Sequence, residues 1–143
     1  MTPLVIDASV AVKWVVQESG TPEALALRRR RLAAPDLIMA ECANILWKKV
    51  RLKQLTAKQA DLAARLLARS DLELLPMRTL IDGALRHAVA LDHPAYDFFY
   101  LDLARARGAK FVSADDSLVR KIRQRGSAEL KSCVVSLAEA AAL

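Results

Sequence analysis

Four acidic residues sit in surroundings that do not ordinarily hold a charge. Asp7 ends the apolar run LVID, Glu41 lies in DLIMAECANILW, Asp97 in HPAYDFFYL and Asp115 in KFVSADDSL. Each has a bland explanation when taken singly. Asp7 and Asp115 can cap helices that follow strands, since a carboxylate accepts hydrogen bonds from the free N–H groups of a first turn, and Asp97 in a first turn suits the helix macrodipole. Glu41 shares helical spacing with Leu37, Ile45 and Lys48, a stripe that otherwise looks largely core-facing, where a lone carboxylate is costly. Gathered in one pocket, such groups repel by roughly a few kcal/mol per close pair at an effective dielectric of about 20. Only a cation, or protonation, relieves the cluster.

Oxygen ligands alone suit a hard cation, Mg²⁺ or Mn²⁺, and no His and Cys spacing of the kind zinc takes is present. His87 and His93 read as surface or packing residues. An acid-held divalent ion cuts phosphodiesters by activating water and steadying the leaving oxygen, while Lys and Arg hold the backbone. The charge balance agrees: 22 Lys and Arg against 16 Asp and Glu leave a net +6, which favours a polyanionic partner, nucleic acid first. The basic residues cluster as LRRRRL at 27–32, KKVRLK at 48–53 and RKIRQR at 120–125. Of the three, 48–53 extends the helix of Glu41 and is expected to flank the same groove.

The elements that must position these acids are legible in the hydropathy pattern. Apolar strand-like runs at 3–7, 72–75, 109–113 and 133–135, with a short strand in RLAAP at 31–35, alternate with helical periods. Helices fit 9–17, 22–31, 37–51, 57–69, 80–91, 95–107, 116–125 and 136–142, with Asp36 and Thr56 as N-caps and Gly108 as a stop. Alternation of this kind implies an α/β fold, a central parallel sheet flanked by helices, with ligands at the carboxyl ends of the strands. Asp7 and Asp115 stand at such ends. The 143 residues, 54% hydrophobic, suit one domain over 1–143. No apolar stretch approaches the roughly 18–20 residues of a membrane span, no cleavable leader is evident, and Cys42 and Cys133 read as buried reduced thiols, so a cytoplasmic protein is expected.

The segments LVIDASVAVKW, APDLIMAECANILWK, HPAYDFFYLDLA and AKFVSADDSLV, in this order and over nearly the whole chain, resemble the PIN-domain ribonucleases, most closely the VapC toxins of toxin–antitoxin pairs. The resemblance implies a PIN-like fold and an endoribonuclease whose catalytic, metal-holding acids are Asp7, Glu41, Asp97 and Asp115, with Mg²⁺ or Mn²⁺ as cofactor. It places Ser9 as support for a water on the metal rather than as a nucleophile. Asn44, one turn after Glu41, would orient that acid, or be an ordinary surface amide. It further implies a homodimer, restrained by a VapB-type antitoxin whose tail enters the active-site groove, the complex binding its own promoter through the antitoxin. Three positions depart from the common pattern. Phe98 stands where a small residue is usual, Ser113 replaces Thr, and Asp102 replaces Ala. Asp102, five positions past Asp97, is expected to point away from it, exposed beside Arg105. In SADDSL the motif selects Asp115, leaving Asp116 to point outward or cap the following helix.

Other families that gather acids at a sheet edge fit less well. A response-regulator receiver wants an acidic pair at the first strand, and a dehalogenase-type phosphatase wants DxD where this chain has DAS. The non-enzyme alternative, a catalytically silent RNA-binding α/β module, accounts for the basic runs but leaves the four acids unexplained.

Overall fold

Leu4–Ile6 forms the central strand, β1, and all three of its residues are buried, as expected for a strand covered on both faces. The computed structural model describes residues 3–143. Strands β2 (Leu32–Pro35), β3 (Glu73–Leu75), β4 (Lys110–Ser113) and β5 (Val134–Ser136) complete a five-stranded sheet in the order β3-β2-β1-β4-β5. Every pairing is parallel; Val5 stands opposite Ala33 on one side and Phe111 on the other. All five strands fall where the apolar runs predict them.

The helices are α1 (Ala8–Ala11), α2 (Thr21–Ala26), α3 (Leu37–Arg51), α4 (Ala57–Ala68), α5 (Ile81–Leu91), α6 (Tyr96–Ala106), α7 (Asp116–Arg125), α8 (Ala128–Cys133) and α9 (Leu137–Ala141). The helices expected over 9–17 and 22–31 are shorter than their patterns. Each is a brief α-helix tightened into a 3₁₀ turn, at Val12–Trp14 and Leu27–Arg29. Helix α8 was not expected: six residues display no period, and its one local signal is Ser127, whose hydroxyl caps Leu130 N without the reciprocal Glu that marks the similarly short α9 at Ser136 and Glu139. Thr56 and Gln59 form a reciprocal capping box at α4, whereas Asp36 occupies the N-cap position of α3 without a side-chain bond. Gly108 ends α6 with φ +62°, a conformation that costs a side chain dearly.

Helix α6 lies across β1, β2 and β4 and is backed by α5. This packing corrects the expectation for Asp102. The residue does pair with Arg105, at 2.9 Å, but it is buried, because it faces α5 rather than solvent, and the His87 ring meets its carboxylate at 3.1 Å. The close approach is made possible by Gly83 of α5, where an added Cβ would stand 2.7 Å from Asp102 Oδ2. Gly83→Ala should therefore destabilise the fold by about 1–3 kcal/mol even though Ala is the better helix former, an effect read as a lowered urea midpoint. An unchanged or higher midpoint would show that the α5–α6 contact yields.

Candidate active site

The chain leaves β1 outward through β2 and β3 and then returns to the other side of β1 as β4 and β5, so the strand order switches between β1 and β4. In open parallel sheets ligands gather at the carboxyl ends of the strands beside such a switch. Asp7 directly follows β1, and Asp115 follows β4 by two residues. Helix α3, leaving β2, brings Glu41 to the same edge, and α6 presents Asp97 in its first turn. All four acids line one cavity of about 480 Å³, with Ser9, Asn44 and an apolar wall of Leu37, Ala40, Ile45 and Tyr96.

Asp7 is the most constrained of them. It is 5% exposed, and burial pushes its carboxyl up from an ordinary 3.8 to about 7, with the charge of Asp97 adding to the rise. Three donors oppose that shift. The Ser9 hydroxyl donates to Oδ1, the Ser113 hydroxyl donates to Oδ2 at 2.5 Å, and Val10 N caps against Oδ1 at 3.4 Å. Ser9 Oγ also accepts from Ala114 N at 3.0 Å, which ties the ends of β1 and β4 together. Glu41 is half-buried, raised in pKa by burial and by Asp97, and held by the Tyr100 hydroxyl, which donates to Oε1 at 2.5 Å. The buried row of α3 is Ile38, Cys42 and Leu46, so the row Leu37, Glu41 and Ile45 forms the cavity wall rather than the core. Asp97 Oδ2 meets His93 Nε2 at 2.7 Å.

Asp115 does two things at once. It lines the cavity, and its Oδ1 accepts from Leu118 N at 3.1 Å as the N-cap of α7, so capping falls to this residue and not to Asp116. Asp116 is exposed and lines a different cavity, beside Lys13 and Glu23. Asn can replace Asp as a cap, so Asp115→Asn should keep the helix while reducing metal affinity and cleavage by roughly ten- to a hundredfold. Asp116→Asn should leave both nearly unchanged. A greater loss in Asp116→Asn, by metal titration and cleavage rate, would move the site by one residue.

Among the described residues, no three of His, Cys, Asp and Glu converge closely enough to hold an ion as they stand. Each acid turns to a donor of its own, as like charges in one cavity favour. The donor set nevertheless fits a hard divalent ion: four carboxylates and the Ser9 hydroxyl, oxygen throughout, at a site where burial makes the charge of Asp7 costly to carry uncompensated.

Asn44 lines the cavity but makes no hydrogen bond to Glu41; Tyr100, from α6, takes that position. Tyr100 and His93 are the contacts the sequence conceals. Glu41 and Tyr100 are 59 residues apart, and only the packing of α6 beside α3 joins them. His93 stands four positions before Asp97, a spacing that signals contact on a helix, but α6 begins only at Tyr96. The basic runs also disperse. In 48–53, Lys49 is bound to Glu18 at 2.9 Å and Arg51 stacks on Trp47, which leaves Lys48 alone to continue the row of Glu41, Asn44 and Ile45. Arg28 to Arg31 lie before β2, at the end of the sheet opposite to the acids, around a cavity shared with Asp71 and Glu73. In 120–125, Arg123 pairs with Glu139 while Lys121 reaches His93.

The family model described as PIN domain matches residues 4–124. A crystal structure of PAE2754 from Pyrobaculum aerophilum superposes with a TM-score of 0.71 over 99% of this chain and 97% of that one, at 23% identity, a likeness of fold. Among curated protein sequences, none matches.

Proposed function

The chain belongs to the PIN-domain family, within the nuclease superfamily, and from that premise we propose that it is a Mg²⁺- or Mn²⁺-dependent endoribonuclease of the VapC toxin type. The observation that carries the reading is the meeting of Asp7, Glu41, Asp97 and Asp115 on one cavity at the β1–β4 switch. These four residues would hold the divalent ion. When bound, such an ion supplies the positive charge that activates water and steadies the leaving oxygen in phosphodiester hydrolysis.

The chain's own side chains prepare the site. Ser9 and Ser113 hold both oxygens of Asp7, and Tyr100 holds Glu41, so that these two carboxylates are oriented before substrate arrives. Tyr96, 61% exposed on the cavity wall, offers a ring face on which an unpaired base can stack, which favours single-stranded or looped RNA. Lys48, exposed on the row that continues from Glu41, is placed to meet a backbone phosphate.

The proposal extends to the assembly and its setting. One PIN unit spans 1–143. A second copy has a surface to use in the row Ile81, Leu85 and Val89 of α5, exposed at 58%, 59% and 74%. A VapB-type antitoxin is the expected restraint, entering the acid-lined cavity. No helix among the described residues is long and apolar enough to cross a membrane, in keeping with a cytoplasmic toxin.

Purified protein incubated with a mixed RNA pool and Mn²⁺ should yield discrete fragments whose new 5′ ends, once sequenced, define the target. Intact RNA that remains bound to well-folded protein would replace this reading by the silent RNA-binding module.

A further inference from the structure

Three elements meet behind Asp97, and none of the groups they bring there belongs to the four acids. Lys121 of α7 places its Nζ 2.9 Å from the carbonyl of Asp92 and 3.3 Å from Nδ1 of His93. The other ring nitrogen, Nε2, lies 2.7 Å from Asp97 Oδ2. An ammonium group only donates, so the Nδ1 that faces Lys121 must present its lone pair. The ring hydrogen of neutral His93 then sits on Nε2 and points at Asp97. The ring is also fixed from the side, edge-on against Phe98 at 5.6 Å with an interplanar angle of 80°. Phe98 is itself fully buried, so its ring is a fixed surface. Asp92 closes α5 in the left-handed region at φ +51°, and its carbonyl takes one of the Lys121 donors.

We propose that His93 is a positioning residue for Asp97: Lys121 on Nδ1 and Asp97 on Nε2 together hold it as the Nε2–H tautomer, Phe98 sets its plane, and the donated hydrogen bond holds the Asp97 carboxylate in the orientation that receives the divalent ion. The inference rests on the reading of Asp97 as a metal-holding acid. Imidazole is here the group behind the ligand, passing orientation from a fixed cation to the carboxylate, and losses of this kind cost about ten- to a hundredfold in metal affinity. The arrangement also joins α7 and the end of α5 to the site, so a change at Lys121 reaches Asp97 without touching it.

The test uses the full chain. Nitrogen-15 spectra of the histidine rings at pH 8 in chelator should show His93 as the Nε2–H tautomer, and Lys121→Met should shift the Nδ1 resonance as that nitrogen loses its donor, with Lys121→Arg restoring it. Titration with Mn²⁺, followed by the paramagnetic resonance of the free ion, should show affinity about tenfold lower in His93→Leu and nearly normal in His93→Gln, whose amide places a donor where Nε2 lies. Should His93→Leu not fold, Lys121→Met against Lys121→Arg carries the same comparison. An Nδ1–H ring in the unaltered protein overturns the inference, as does unchanged Mn²⁺ affinity in His93→Leu and Lys121→Met. Failure of the unaltered protein to bind Mn²⁺ at all overturns the nuclease reading and this role together, which separates the two failures.

Discussion

Asp7→Asn should lower RNA cleavage by about 10²- to 10³-fold and, in chelator at pH 8, make the protein more stable than the unaltered chain. Both effects come from one carboxylate. Asp7 is 5% exposed, and burial raises its folded pKa from 3.8 to about 7. The unfolded chain releases that proton near its ordinary value, whereas the folded protein keeps it until about pH 7. Between those values the folded state binds more protons, so the stability present below pH 4 is lost as pH rises through 7. A shift of this size corresponds to roughly 3–5 kcal/mol above pH 7. Asn keeps the shape and an acceptor for Ser9 and Val10 but never ionises, so the variant avoids the loss. Its melting midpoint at pH 8 should exceed that of the unaltered protein by about 5 °C or more, with the difference shrinking toward pH 4. A variant equally active, or less stable at pH 8, would mean that Asp7 is a helix cap and nothing else. The residue would then be tolerated for its bond to Val10 N, a 3.4 Å contact too weak to offset its burial.

Metal removal should stop cleavage altogether, and metal addition should narrow the stability gap between the two proteins. A cation that binds only the folded chain stabilises it by about 2.7 kcal/mol at a hundred times its dissociation constant, several degrees in a protein of this size. Mn²⁺ or Mg²⁺ should therefore raise the midpoint of the unaltered protein while leaving Asp7→Asn, and likewise Asp97→Asn, almost unmoved. The calorimetric scan with and without chelator makes the comparison, and the cleavage rate in the same solutions makes it a second time. Full cleavage in chelator by protein free of contaminating nuclease, or equal metal shifts in all three proteins, would take the ion away from the acid-lined cavity.

The five strands, the long helices and the four acids were legible because each leaves a local mark. A strand is a short apolar run and a helix a period, and an acid lodged at the end of either is visible within about ten residues. Even the parallel order follows from alternation, and with it the carboxyl edge as the place to look. The helices that fell short of expectation, α1 and α2, and the one that went unseen, α8, have six residues or fewer, too few for a period; α9, with five, was visible through its capping pair Ser136 and Glu139.

Contacts across the chain left no such mark. Ser113 donates to an acid 106 residues away, Tyr100 to one 59 away, and the burial of Asp102 depends on Gly83 in a neighbouring helix. Hydropathy set which residues could face inward, and spacing set which could share a face. Spacing already set Asp102 apart from Asp97, but it took the packing of α6 between the sheet and α5 to decide that Asp102 is sealed beneath Arg105 rather than exposed beside it. The basic run beside Glu41 divides for the same reason: successive residues on a helix point about 100° apart, so Lys48 stays in the row of Glu41 and Ile45 while Lys49 turns to Glu18. Local chemistry named the acids, and only the three-dimensional arrangement supplied the hydroxyls, the imidazole and the ammonium that hold them, because those partners come from segments with no pattern in common.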